Sequence, residues 1–152
     1  MTKKKQLSNS PCYYSPKTEI VSTYRRFEDS EYFASRIELD VFRRLQTISS
    51  VKIHRQYPLI IKDATSTYPR KQWRCDYRIE SIQVSSLFLN IEAKGTLYLP
   101  EFKDTLQYLE FFAPSDYRRL LIVSRESFQL DAHNVTVTLN EMMLILQQQG
   151  FC

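Results

Sequence analysis

Two stretches that face each other across Ser85-Ser86 constrain this chain more than anything else in it: "WRCDYRIE" (73–80) and "LFLNIEAKG" (87–95). In the first, Trp73, Cys75, Tyr77 and Ile79 alternate with Arg74, Asp76, Arg78 and Glu80, the period of a strand with one buried side. The second is a short apolar run, Leu87 to Ile91, that ends abruptly in Glu92-Ala93-Lys94. Ser85-Ser86 makes a tight connection, so 72–94 reads as a hairpin. A lone hairpin is marginal in water and needs further strands and a helix to cover its apolar side.

The flanking segments supply them. Asp29-Ser30 starts a helix over "SEYFASRIELDVFRRLQTI", and "VKIHRQYPLIIK" (51–62) follows as a strand. After a polar loop around 63–69 comes the hairpin. Pro100 opens a second helix that runs to about Phe112 and stops before Pro114. "RRLLIVS" reads as a short buried strand, and 128–138 as a further one. Asn140 caps a last helix, "EMMLILQQQ", closed by Gly150. A helix set between two apolar strands predicts an α/β fold, a mixed sheet with helices packed on it. At 152 residues the chain has room for one core and not two. The reading is a basic N-terminal arm over 1–28, rich in Lys3-Lys4-Lys5 and loosely ordered, and one domain over 29–152.

Composition excludes several functions. The only glycines are Gly95 and Gly150, so no Gly-rich phosphate-cradling loop is possible. Cys12, Cys75 and Cys152 are widely spaced, without a CxxC, which argues against a zinc site and a disulfide framework and for a reducing cytoplasm. No apolar run reaches membrane-spanning length. The net charge of +4 is modest, but Arg43-Arg44 and Arg70-Lys71 with Arg74 are clusters of the kind that contact phosphates.

The chemistry concentrates around the hairpin. Side chains at i and i+2 on a strand share a face, so Glu92 and Lys94 project together. The small Ala93 between them leaves its carbonyl available as an oxygen ligand. Asp76 lies at a comparable height on the neighbouring strand. Two converging carboxylates repel, and a hard divalent cation, Mg²⁺ or Mn²⁺, relieves that repulsion. On the first helix, at about 100° per residue, Glu38 falls inside the stripe of Ile37, Val41, Phe42, Leu45 and Ile48. Asp40 falls on the wet side. A buried carboxylate requires a cation, a metal or a proton, and an arginine at the stripe's edge is one such partner for Glu38. Gln56 adds a polar group on the strand between. Trp73 and Tyr77 read as core residues, and His54 has no partner at a telling spacing.

The series Glu38, Gln56, Asp76 and Glu92-x-Lys94 on helix, strand, strand and strand resembles the PD-(D/E)xK nuclease superfamily, over roughly residues 30–125. The runs "SRIELDVFRRL", "HRQYPL", "WRCDYRI", "IEAKG" and "PEFKDTLQYLEFFAP" look like its phage- and mobile-element-associated branch, which includes Holliday-junction-resolvase-like and transposon end-cutting endonucleases. Cys75 stands where the family usually has proline. The resemblance implies a restriction-endonuclease-like αβββαβ core and Mg²⁺- or Mn²⁺-dependent hydrolysis of DNA phosphodiesters, on branched DNA or in transposition. It implies a metal held by Asp76, Glu92 and the Ala93 carbonyl, with Glu38 holding a second metal or a metal-bound water. Lys94 would address the nucleophile and Gln56 water or phosphate. Arg70, Lys71 and Arg74, with Arg43 and Arg44, would meet the DNA. The expected assembly is a homodimer or a subunit of a larger DNA-processing complex. The competing readings are a nuclease subunit of a transposition or defence system that depends on a partner for its target, a non-catalytic nucleic-acid-binding protein on the same scaffold, and an interaction module whose acids are structural ion pairs.

Overall fold

The computed structural model describes residues 27–28, 31–33, 35–61, 71–95 and 100–152. The arm up to residue 26, the loop around 63–69 and Arg70 lie outside them. Of Lys71 only the backbone is described.

Two short strands, β1 (Phe27–Glu28) and β2 (Glu31–Tyr32), pair antiparallel. Helix α1 (Arg36–Leu45) therefore begins later than the sequence reading placed it. The physical reason is the cap: Ser35 is extended at the helix start, and its side chain accepts the Glu38 N–H at 3.2 Å. Ser35-x-x-Glu38 has the spacing of a capping box. Glu38 occupies the third helical position, yet its carboxylate is drawn elsewhere, as described below.

The main sheet is built from β3 (Val51–Ile61), β4 (Lys71–Ser81), β5 (Phe88–Ala93) and β6 (Leu120–Val123), in that order across the sheet. The first three are antiparallel and β6 runs parallel to β5, so the sheet is mixed and open. The parallel pair requires a crossover, which α2 (Pro100–Phe112) and the short α3 (Pro114–Arg118) supply. The sequence reading held no helix at 114–118; Pro114 ends one helix and occupies the first turn of the next. No strand forms over 128–138, where only single bridges join Gln129 to Val135 and Val123 to Val137. The last helix, α4 (Leu139–Gln148), is capped by Thr138 and not Asn140: Thr138 and Glu141 make a reciprocal capping box. Gly150, at φ 91°, closes it, with the Phe151 N–H reaching the Leu146 carbonyl. Cys152 is disulfide-bonded, which departs from the expectation that the widely spaced cysteines form no disulfide framework.

Helices α1 and α4 bury one side of the sheet, where Ile37, Leu39, Val41 and Leu45 pack with Tyr77, Ile79, Leu89, Ile91, Met142 and Leu146. Helix α2 covers the other side through Phe102, Leu106 and Leu109, against Leu59, Cys75 and Ile122. Among the described residues no helix is long and apolar enough to cross a membrane.

Candidate active site

The β4–β5 ladder ends at Tyr77 opposite Ile91. One step further, the register places Asp76 opposite Glu92, but the backbone pairing has stopped. The side chains take over. The Asp76 N–H donates to Glu92 Oε1 at 3.1 Å, and the Ala93 N–H donates to Asp76 Oδ2 at 2.8 Å. Each carboxylate thus satisfies an N–H on the opposite strand that the ladder leaves behind. Both carboxyl groups lie at this open end of the ladder, and the Ala93 N–H points to it.

The gap has a backbone cause. Along β3, Arg55 lies over the aromatic rings of Phe33, Phe42 and Tyr77 on the α1 side, whereas Tyr57 and Leu59 pack towards α2. Along β4, Ile79 and Tyr77 face α1 and α4, whereas Cys75 packs with Leu109 and Trp73 with Phe102. Both strands invert their inside–outside alternation at the step where Gln56 faces Asp76, the position missing from an otherwise continuous register. Gln56 carries the inversion at φ 51°, a conformation uncommon for a residue with a Cβ. Such inversions re-aim side chains next to sites. The uniform alternation read across 73–79 is therefore corrected: Trp73 and Cys75 occupy the opposite side of the sheet from Tyr77 and Ile79.

Lys94 follows β5 directly. Its Nζ lies 3.1 Å from Glu92 Oε2 and 4.5 Å from the centre of the Phe102 ring, so α2 closes over the ammonium. Glu38 is buried at 6% exposure, and its Oε2 accepts from Arg55 Nη2 at 3.0 Å. The Arg55 guanidinium lies 4.0 Å from the centre of the Phe33 ring. Tyr77 OH donates to the Glu38 main-chain carbonyl at 2.8 Å, which fastens the first turn of α1 to β4.

Burial, then the Glu92 charge, then the Glu38 charge hold Asp76 well above the usual carboxylate range, against the Ala93 N–H and Lys94. Glu92 is raised by burial and by Glu38, with Lys94 and the Asp76 N–H opposing. Burial likewise pushes the Cys75 thiol up; its Sγ contacts the Ile91 carbonyl at 3.2 Å.

The fold thus brings Asp76, Glu92, Ala93 and Lys94 together. Glu38 is near enough for its charge to be felt, but Arg55 is its immediate partner. Among the described residues no three His, Cys, Asp or Glu side chains are grouped closely enough to hold a metal ion. Both Glu92 oxygens are engaged, whereas Asp76 Oδ1 accepts no hydrogen bond among the described residues. The donor set of Asp76, Glu92 and a main-chain carbonyl is all oxygen and carries surplus buried charge, which fits one hard divalent cation. The Gln56 side chain is exposed, and its carbonyl accepts from the exposed Arg74 at 3.4 Å. Arg44 is tied to Asn140 at 2.9 Å and so links α1 to α4; Arg43 lies half-buried beside it on α1. His54 lies 3.1 Å from Glu80 on the neighbouring strand, an ion pair when His54 is protonated.

Arg55 is the residue the sequence reading passed over. Its signal was available: in Val51, Ile53, Arg55 the inward positions of β3 end in a charge, facing a helix whose apolar stripe contains Glu38. Comparison with protein families, with curated proteins and with solved structures finds no match for the chain.

Proposed function

We propose that the protein is a metal-dependent DNA endonuclease of the restriction-endonuclease-like type, acting on branched or mobile-element DNA. The observation that carries the reading is the reciprocal pair of Asp76 and Glu92 in the open end of the β4–β5 ladder, with Lys94 at 3.1 Å from Glu92. A buried Glu92 and a half-buried Asp76, both held above the usual carboxylate range and grouped with an amine, are the kind of arrangement that catalytic sites use.

Asp76, Glu92 and the Ala93 carbonyl would hold Mg²⁺ or Mn²⁺. Bound there, the ion would supply Lewis-acid polarisation of a phosphate oxygen and a water of lowered pKa. The chain's own residues do the rest. Glu92 fixes Lys94, and Phe102 keeps Nζ from swinging out. Lys94 then offers donors to the attacking water and to the phosphate oxygens as negative charge builds on them. Water attacks phosphorus as the ester P–O bond breaks; the attacking water gives up a proton to solvent, and the leaving oxygen takes one from solvent. Arg74 is exposed and suited to a flanking phosphate.

The test is cleavage of supercoiled plasmid and of four-way junctions with Mg²⁺ or Mn²⁺ by wild type, Asp76→Asn and Lys94→Ala. Cutting by wild type alone supports the reading. Equal cutting by all three, or none by any, removes it. One observation favours a second reading: Glu38, Glu92 and Asp76 each have an internal partner, as in a structural ion-pair network. DNA binding without cleavage would select that non-catalytic scaffold.

A further inference from the structure

The site holds three carboxylates, Glu38, Asp76 and Glu92, and two cations: Arg55 lies 3.0 Å from Glu38 and Lys94 3.1 Å from Glu92. The formal balance is one negative charge. A single divalent ion overcompensates it slightly. A second would have to sit beside a guanidinium, with no carboxylate left to hold it.

The guanidinium is not placed there casually. It is enclosed by the rings of Phe33, Phe42 and Tyr77, with its carbon 4.0, 5.6 and 5.9 Å from their centres. Its partner carboxylate belongs to a helix turn anchored by the Tyr77 hydroxyl. The Arg55 side chain is 17% exposed and that of Glu38 8%. A planar cation held on aromatic faces loses little further freedom in keeping this geometry.

From this we infer that Arg55 takes the place of a second metal ion at Glu38, so that the site binds one divalent cation and uses a built-in guanidinium as its other positive charge. The inference rests on reading Asp76 and Glu92 as the ion's ligands. Arg55 is thus a positioning residue: it neutralises Glu38 and keeps it from joining the ligand set.

The experiment counts bound Mn²⁺ by electron paramagnetic resonance of the free ion, on the full chain at saturating metal. Wild type is expected to bind one Mn²⁺ per chain, and Asp76→Asn none. Arg55→Gln frees the Glu38 carboxylate of its partner, and the count should rise to two. Arg55→Gln is able to misfold because it strands a buried charge. The double variant Arg55→Gln/Glu38→Gln removes that charge and is expected to keep one Mn²⁺. Two ions on wild type, one on a folded Arg55→Gln, or loss of binding by the double variant overturns the inference while leaving a metal site in being. No binding by wild type overturns the inference together with the reading it rests on.

Discussion

Asp76 and Glu92 exchange roles across the end of the β4–β5 ladder: the Asp76 main chain donates to the Glu92 carboxylate, and the Asp76 carboxylate accepts from the residue after Glu92. Because each also satisfies a backbone N–H, the two acids are held in place before any ligand arrives. Pre-positioned donors and acceptors do not have to reorganise during a reaction. The cost is that like charges are confined together with little water.

That cost sets a pH dependence. Asp76 and Glu92 are both raised in the folded protein. A raised acid binds its proton more tightly folded than unfolded, so its stabilising contribution is full below the unfolded pKa and is lost as pH rises through the folded one. Thermal midpoints of the metal-free protein should therefore fall as pH climbs above about 4, provided the rest of the charge set is unchanged. Asp76→Asn should flatten this slope and raise the midpoint at neutral pH. Differential scanning calorimetry across pH 4–8 checks both; an unaltered slope in Asp76→Asn would contradict the assignment.

Divalent metal should reverse the same penalty. An ion that binds only the folded state stabilises it by about 2.7 kcal/mol at a hundred times its dissociation constant. Mg²⁺ or Mn²⁺ should raise the midpoint of wild type, and much less that of Asp76→Asn or Glu92→Gln. Ca²⁺, which also takes oxygen ligands, should stabilise as well, so that binding is separated from turnover.

The buried pair of Glu38 and Arg55 gives a third outcome. Removing one member of such a pair leaves the other charged and buried, at a cost of about 3–5 kcal/mol, whereas replacing both is far milder. Glu38→Gln and Arg55→Gln should each lower the urea midpoint strongly, and the double variant should recover most of the loss. Additive losses in the double variant would mean that the two side chains act independently.

Much of this architecture was legible in the residues, and the exceptions share causes. Strands β3 to β6 and helix α2 were announced by periodicity and by Pro100. The starts of α1 and α4 were misplaced because several hydroxyl or amide side chains could cap, and only the Ser35–Glu38 and Thr138–Glu141 spacings separate them. Asp76, Glu92 and Lys94 could be grouped because a hairpin fixes register. Arg55 could not be joined to Glu38 with the same ease, since nothing local determines which strand residue a helix will cover. The inversion at Gln56 was invisible, because no glycine or Asn marks it.

That inversion yields the last prediction. Gln56 is exposed and holds φ at 51°. A left-handed conformation costs a residue with a Cβ about 1–3 kcal/mol, and glycine adopts it freely at an unfolded-state cost of about 0.5–1 kcal/mol. Gln56→Gly should therefore be neutral to stabilising by about 1 kcal/mol, whereas the β-branched Gln56→Val should destabilise. The pair of variants also separates backbone from side chain. If the carboxamide positions water or phosphate, Gln56→Gly will lose cleavage while gaining stability. If only the bend matters to Asp76 opposite, Gln56→Gly will cut as wild type does and Gln56→Val will fail in both stability and cleavage. Urea midpoints and single-turnover cleavage rates, measured on the same preparations, decide between the two.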